Sequence, residues 1–393
     1  MQKVLVLNGS YNEIPLIKEL KERGYYVITT GNDPSLIGHS FSDQYIYGDY
    51  SDFRSMLKIV QNNHIFRAIP CANDFGAITV AYIAEKMSWS GYDSYANALL
   101  LHHKDLFKAY CAEHNIPSVL SASFKDSDEL LKYIKKCKYP LMIKANDLTG
   151  GKGIKKVVNY SEACKAVASA FKISKDKKIL VEPYVGGKQY TIEVFLIDHK
   201  VVCNTGCNCY SKVNPYLIQT ETYPSDKLEE DIKYIVPIIE KMADDLKLEN
   251  GVLTVQYKKE NEKFYIIEMM RRPLGNQSFC ICEKVTGFPW HRAMLDIMLG
   301  ISGNIYKSIT PIAKCYGHHG VFALSNGIYQ SYSIPEELKS HVEYIVDLLP
   351  SGTKITDHKT QRIASIFYSF ESKTEMDKIM QEAYRTVAVK MQE

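Results

Sequence analysis

At 393 residues the chain is long enough for two or three domains with separate cores. Apolar residues make up 46% and charged residues 24%, and 48 basic against 45 acidic side chains leave a net charge of +3. That balance gives no electrostatic reason to expect nucleic acid or a membrane as partner, and no segment approaches the roughly 20 apolar residues of a membrane span.

Residues 4–7 read as a buried strand. Asn8-Gly9-Ser10 is a turn opening a helix over 12–23 that stops at Gly24, and residues 26–30 form the next strand. A short strand over 68–70 and a helix over 76–86 follow. Strands alternating with helices predict a parallel, doubly wound sheet over 1–95. The first turn lacks the Gly-x-Gly-x-x-Gly spacing, so it reads as a structural turn or as a small-molecule site at the carboxyl ends of the strands. The leading apolar run is too short for a signal peptide, which makes a cytoplasmic protein the expectation.

Residues 97–116 read as helix within a linking segment, 96–116, that carries His102-His103-Lys104. A small mixed subdomain spans 117–185, with a strand over 118–124, a helix over 128–136, a strand around Lys144, a helix over 161–171 and a strand around Leu180. Residues 186–300 form a larger sheet with two helices. Its clearest strands lie at 190–196, 201–203, 252–257 and 264–269, with turns at 247–251 and 258–263. The remainder, 301–393, has a strand over 320–324, a helix over 335–339 and a final helix from 374. Cys203, Cys207 and Cys209 lack the paired spacing of a zinc site and read as buried thiols in strands. His318-His319 reads first as a surface pair, with a catalytic base as the alternative. The 28 tyrosines are spread evenly, which offers no stacking platform for single-stranded nucleic acid.

The chemistry concentrates in three stretches. Leu141-Met-Ile-Lys-Ala delivers Lys144 on an apolar strand and runs into Thr149-Gly150-Gly151-Lys152-Gly153, whose backbone amides no side chain obstructs. Positive charge and open amides suit a phosphate chain. The stretch Ile179-Leu-Val-Glu-Pro-Tyr-Val ends an apolar strand in Glu182, Pro183, Tyr184 and Val185, an edge suited to a flat, hydrogen-bonding ring. Phe264-Tyr-Ile-Ile-Glu places Glu268 near a strand end, followed by Arg271 and Arg272. A carboxylate beside two arginines suits a magnesium-bound phosphate, or else a salt-bridged strand end. In an antiparallel hairpin Gln256 would lie across from Glu268. Neither Lys144 nor Glu268 is expected to fill the core.

In this order Lys104, Lys144, the glycine loop, Glu182-x-x-Val185, Gln256 and Glu268-x-x-x-Arg272 resemble the ATP-grasp superfamily. The resemblance covers about 1–300 and includes Thr286-Gly-Phe before a helix ending in Leu299-Gly300. The pattern is most similar to the carboxylate–amine ligases and the carbamoyl-phosphate-synthetase-like members. It implies a mixed α/β and α+β architecture: an N-terminal doubly wound parallel-sheet domain, a small lid subdomain over 117–185, and a larger antiparallel-sheet domain over 186–300 that 301–393 completes.

The resemblance also implies roles. Lys104 and Lys144 would hold ATP phosphates, with Thr149 to Gly153 as a lid. Glu182 to Val185 would take the adenine, and Gln189 the ribose. Glu268 with Gln256 would ligate Mg2+ or Mn2+, and Arg272, with Lys144 and Glu268, would serve catalysis. The acceptor would meet Arg271, Asn276 and Lys212, with Asn73, Asp74, Tyr210, Ser211 and Gln277 as further candidates. Alternatively, one arginine serves the phosphoryl group while the other pairs with a local acid. Two positions depart from the family pattern: Gln189 replaces a Glu, and Met270 stands where an Asn usually helps bind metal, although magnesium selects hard oxygen donors.

The implied activity is an ATP-dependent carboxylate–amine ligase working through an acyl phosphate, with small-molecule substrates. The alternatives are a bicarbonate-activating enzyme of the carbamoyl-phosphate-synthetase or biotin-carboxylase kind, or a nucleotide-binding regulator. Many members pair through the first domain, so a homodimer is an expectation from the resemblance alone.

Overall fold

Alternating side chains in the first strand decide the N-terminal layers. In the computed structural model, which describes residues 1–148, 151–301 and 314–392, Val4 and Val6 of strand Lys3–Leu7 pack on helix Ile14–Glu22. Leu5 and Leu7 pack on the opposite face against helices Phe53–Asn62 and Asp74–Met87. The period-2 pleat therefore covers both faces of the sheet, as expected for a doubly wound layer. Its parallel strands run in the order Gln44–Tyr47, Tyr26–Gly31, Lys3–Leu7, Arg67–Ile69. The order reverses between the last two, so their carboxyl ends form the crevice of the layer. Glu13 ties that crevice together: one carboxylate oxygen accepts the Ser10 N–H at 2.8 Å and the other the Ala72 N–H at 2.9 Å.

The expected helix over 97–116 is two helices, Tyr95–His102 and Lys104–Glu113. His103 is extended, at φ −92° and ψ 117°, which makes Lys104 the first residue of a new helix. The small subdomain is a four-stranded antiparallel sheet ordered Ala122–Phe124, Ile179–Pro183, Leu141–Ala145, Ile154–Val157. The strand expected over 118–124 is confined to its last three residues.

The large subdomain is an eight-stranded antiparallel sheet. Its order is Lys263–Met270, Gly251–Glu260, Lys188–Ile197, Lys200–Tyr210, Thr220–Tyr223, Cys315–Phe322, Arg362–Phe370, Val342–Asp347. The last three strands come from the C-terminal region, which completes this sheet. The hairpin turn expected over 258–263 shrinks to Asn261 and Glu262, both left-handed, because the flanking strands continue to Glu260 and from Lys263. One face of the sheet packs Val255, Tyr257 and Met269 against helix Leu228–Asp245. The other face carries the polar residues described below. His318 and His319 are fully buried in strand Cys315–Phe322, which corrects the surface reading. No helix among the described residues is long and apolar enough to cross a membrane.

Candidate active site

Strand alternation presents the small subdomain's polar residues to one cleft. Leu141, Ile143 and Ala145 turn into its core with Ile179 and Val181, so Met142, Lys144 and Glu182 must face the other way. There Lys144 Nζ donates to Glu182 Oε2 in a buried ion pair. Burial works against a charged Glu182, yet Lys144 and Lys108 together hold its carboxyl below the usual range. Its second oxygen is buried with no partner among the described residues. Lys104, at the start of its helix, donates to the Leu148 carbonyl at 2.7 Å and so braces the chain entering the glycine-rich loop.

Thr149 and Gly150 lie outside the described residues. Gly151 faces the cleft at φ +75°, and a Cβ there would stand 2.7 Å from the Tyr216 carbonyl oxygen. Gly151→Ala is therefore expected to raise the KM for ATP about 5–30-fold, the factor equivalent to the ~1–2 kcal/mol cost of a left-handed non-glycine residue; steady-state kinetics checks it. Lys152 is exposed, and Gly153 closes the loop by accepting the Ala145 N–H at 3.0 Å. Neither lines the cleft. Past Glu182, the Tyr184 ring lies 3.8 Å from Lys156 Nζ and 5.3 Å from Lys258 Nζ, and Lys258 donates to the Val185 carbonyl at 3.2 Å.

The large sheet supplies the opposite wall. Gln256 pairs directly with Glu268 across the hairpin, with a bulge immediately after Gln256. Gln189 lies on the adjacent strand and its Nε2 is 3.5 Å from Gln256 Oε1. Met270 and Arg272 follow Glu268. Arg272 is buried, with Nε donating to Asp74 Oδ1 at 2.6 Å, Nη1 to the Pro273 carbonyl at 3.1 Å and Nη2 to Met270 Sδ at 3.1 Å. Each terminal nitrogen keeps a second N–H for a ligand. His102 Nδ1 also reaches Asp74 Oδ1, at 3.1 Å, while its Nε2 accepts the Arg271 N–H at 3.4 Å. His102 is thus a buried brace for Asp74.

The cleft encloses about 570 Å³. Among the described residues Lys104, Lys108, Lys144, Lys156, Lys258 and Arg272 line it against Asp74, Glu182, Glu221 and Glu268, six cations to four carboxylates. Two of the cations are committed to Asp74 and Glu182. The remaining four face two carboxylates, an excess that suits a polyanion. Pro183, Tyr184, Val185, Gln189, Gln256 and Asn276 also line the cleft, as does Asp74 at the crevice of the first domain.

Five expected acceptor residues stand away from the cleft. Arg271 is turned out of the cleft, gripping Asp93 at 2.8 Å through Nε and the Val252 carbonyl at 2.6 Å through Nη1; it is the arginine that pairs with a local acid. Lys212 is exposed and faces the Tyr384 ring. Gln277 is buried against the first domain, donating to the Tyr11 carbonyl at 2.6 Å. Tyr210 and Ser211 do not line the cleft either.

Lys108 was not anticipated, although i,i+4 spacing from Lys104 on one helix could have revealed it. Its ammonium donates to Ser118 Oγ at 2.7 Å and to the Ile266 carbonyl at 3.0 Å. Burial pulls its pKa down to about 8. Below that pH it is a cation in the cleft, and above it a neutral amine. ATP affinity is therefore expected to fall as pH rises through about 8, and this dependence should vanish in Lys108→Met, as calorimetry at pH 7 and 9 would show.

A family model described as "Carbamoyl-phosphate synthase L chain, ATP binding domain" matches residues 103–305. The carbamoyl phosphate synthase large chain of Clostridium acetobutylicum is 21% identical over 294 residues, 72% of this chain and 26% of that one. The chain thus spans about a quarter of that relative's length. An L-amino acid ligase from Bacillus licheniformis superposes with a TM-score of 0.81 at 16% identity, over 100% of this chain and 99% of that one. The biotin carboxylase domain of Hydrogenobacter thermophilus 2-oxoglutarate carboxylase, solved with MgADP, ADP and bicarbonate, superposes with 0.76 at 19% identity, over 99% and 91%. At these identities the likeness carries the fold, which is ATP-grasp.

Proposed function

Because the chain belongs to the family of the carbamoyl-phosphate synthase L-chain ATP-binding domain, we propose that it is an ATP-dependent carboxylate–amine ligase. The observation that carries this reading is the cleft itself. Lys144 and its cationic neighbours line one wall, and the paired Gln256 and Glu268 stand on the other with Arg272 beside them.

Gln256 and Glu268 fit magnesium: they are hard oxygen donors in a facing pair, with room for the waters and phosphate oxygens this ion retains. The bound ion would neutralise charge shared by two phosphates. Met270 adds no oxygen; its thioether instead orients Arg272.

The reaction has two displacements. A substrate carboxylate oxygen attacks the γ-phosphorus, and the bond to the ADP oxygen breaks, giving an acyl phosphate. The amine nitrogen then attacks the acyl carbon, phosphate leaves with the bonding pair, and the proton lost from nitrogen passes to solvent. The chain's part is positioning and charge. Lys104 and Lys144 hold phosphate oxygens, Arg272 meets the transferred phosphoryl group, and the Glu182–Val185 edge with Gln189 holds the nucleoside. The Lys144–Glu182 pair has to loosen when nucleotide binds, freeing the ammonium for phosphate.

ADP and phosphate release, measured with ATP, magnesium and a panel of amino acids, tests the reading. It stands if turnover requires both an acid and an amine. Bicarbonate-dependent turnover would move the assignment to a bicarbonate-activating enzyme, and nucleotide binding without turnover to a regulator.

A further inference from the structure

Glu221 is the carboxylate that the reaction above does not use. It lies on strand Thr220–Tyr223, lines the cleft and is only 4% exposed. Asn276 Nδ2 donates to its Oε2 at 2.9 Å, and His318 Nδ1 lies 3.1 Å from that same oxygen. Both neighbours meet one oxygen, which leaves Oε1 without a protein partner among the described residues.

Nor does a lysine or arginine pair with it among the described residues. Asp74 has Arg272 and Glu182 has Lys144, but Glu221 has an amide and an imidazole. Burial lowers the pKa of His318, although Glu221 beside it works the other way. Arg362 stands one hydrogen bond further off, donating to Asn276 Oδ1 at 2.6 Å. A buried carboxylate without a cation is costly unless a ligand supplies one.

Position specifies that ligand further. Asn276 and Arg272 sit four residues apart on one loop, and both face the cleft. A group held at Glu221 therefore lies on the acceptor side, beyond the residue that meets the transferred phosphoryl group. Asn276 Oδ1 also lies 3.4 Å from the Tyr11 hydroxyl, so the first domain closes the back of this corner.

We propose that Glu221 Oε1 binds the ammonium of the amine substrate and accepts one of its protons before attack, so that the acceptor is a primary amine arriving protonated, of the amino-acid class. This rests on the ligase reading and adds the residue that selects the nucleophile. Asn276 is a positioning residue: it fixes Oε2 and so aims Oε1.

The test measures ADP release by the full chain with amino acids and with the matching 2-hydroxy acids. The wild type should favour the amino acids. Glu221→Gln keeps the shape and removes the charge. It should raise the KM for the amine roughly 10–100-fold, the factor lost with a charge-assisted hydrogen bond, and erase the preference over hydroxy acids. A Glu221→Gln enzyme whose amine KM stays within about two-fold of wild type overturns the proposal while the ligase reading stands. So does a loss confined to MgATP affinity. A wild type that releases no ADP with any amine overturns the ligase reading beneath it. If Glu221→Gln does not fold, Asn276→Ala carries the same test: about ten-fold higher amine KM is expected, and an unchanged one overturns the assignment.

Discussion

Glu268→Ala is expected to lower the rate of ADP release by roughly 10²–10³-fold or more while leaving the thermal unfolding midpoint close to wild type. Glu268 stands opposite Gln256 near the end of the hairpin, half-buried, and faces the cleft instead of the Val255, Tyr257 and Met269 core. Its removal takes away the charged oxygen donor best placed for a magnesium ion, so triphosphate charge goes uncompensated where it moves during transfer. Gln256→Ala should do less, since a neutral amide oxygen can be replaced by water. Metal-dependent nucleotide binding, titrated with Mn2+, distinguishes the two variants. Wild-type turnover in Glu268→Ala would remove the metal assignment.

Lys144→Ala is the second large effect, and here activity and stability fall together. A loss of turnover of similar size is expected, because Lys144 is the ammonium proposed to hold phosphate oxygens. The sequence alone suggested that folding would survive intact. The structure corrects this: Lys144 is 8% exposed and Glu182 2%, and they form a buried pair. Removing one partner of such a pair typically costs about 3–5 kcal/mol. The lower end is expected here, because Lys108 still faces Glu182. Lys144→Met combined with Glu182→Gln removes both charges and should recover most of that stability with none of the activity. Denaturant unfolding alongside ADP release separates the two losses. A stable Lys144→Ala protein would show that the pair contributes little to the fold.

Much of the cleft was legible locally. Lys144 and Glu182 each sit among apolar neighbours on short strands, so alternation alone puts them on the face away from the core. The Gln256–Glu268 pairing followed from a hairpin of two apolar runs, although the bulge after Gln256 did not. Helix Phe53–Asn62 carries a clear local signal, with Asp52 as its cap and Met56 and Val60 at helical spacing beneath the first sheet, whereas other features leave little trace in the sequence. Three strands from the C-terminal region complete the large sheet, and pairings such as Thr220 with His319 join segments about a hundred residues apart. No local period announces such partners. His318 and His319 look like a surface pair until that sheet closes over them.

What the sequence determined by itself was the set of side chains and the faces they share, because a pleat of period two and a helix of 3.6 are properties of neighbouring residues. The tertiary structure decided which charges meet. Arg271 and Arg272 are adjacent and chemically alike, yet one is consumed by Asp93 and the other is held at the cleft by Asp74. Both acids lie more than 170 residues away in the chain. Glu221 likewise acquires its place only when the loop at Asn276 and the strand of His318 fold against it. Coulomb and hydrogen-bond energies depend on separation in space and on burial. Packing sets both, and packing is a property of the whole chain.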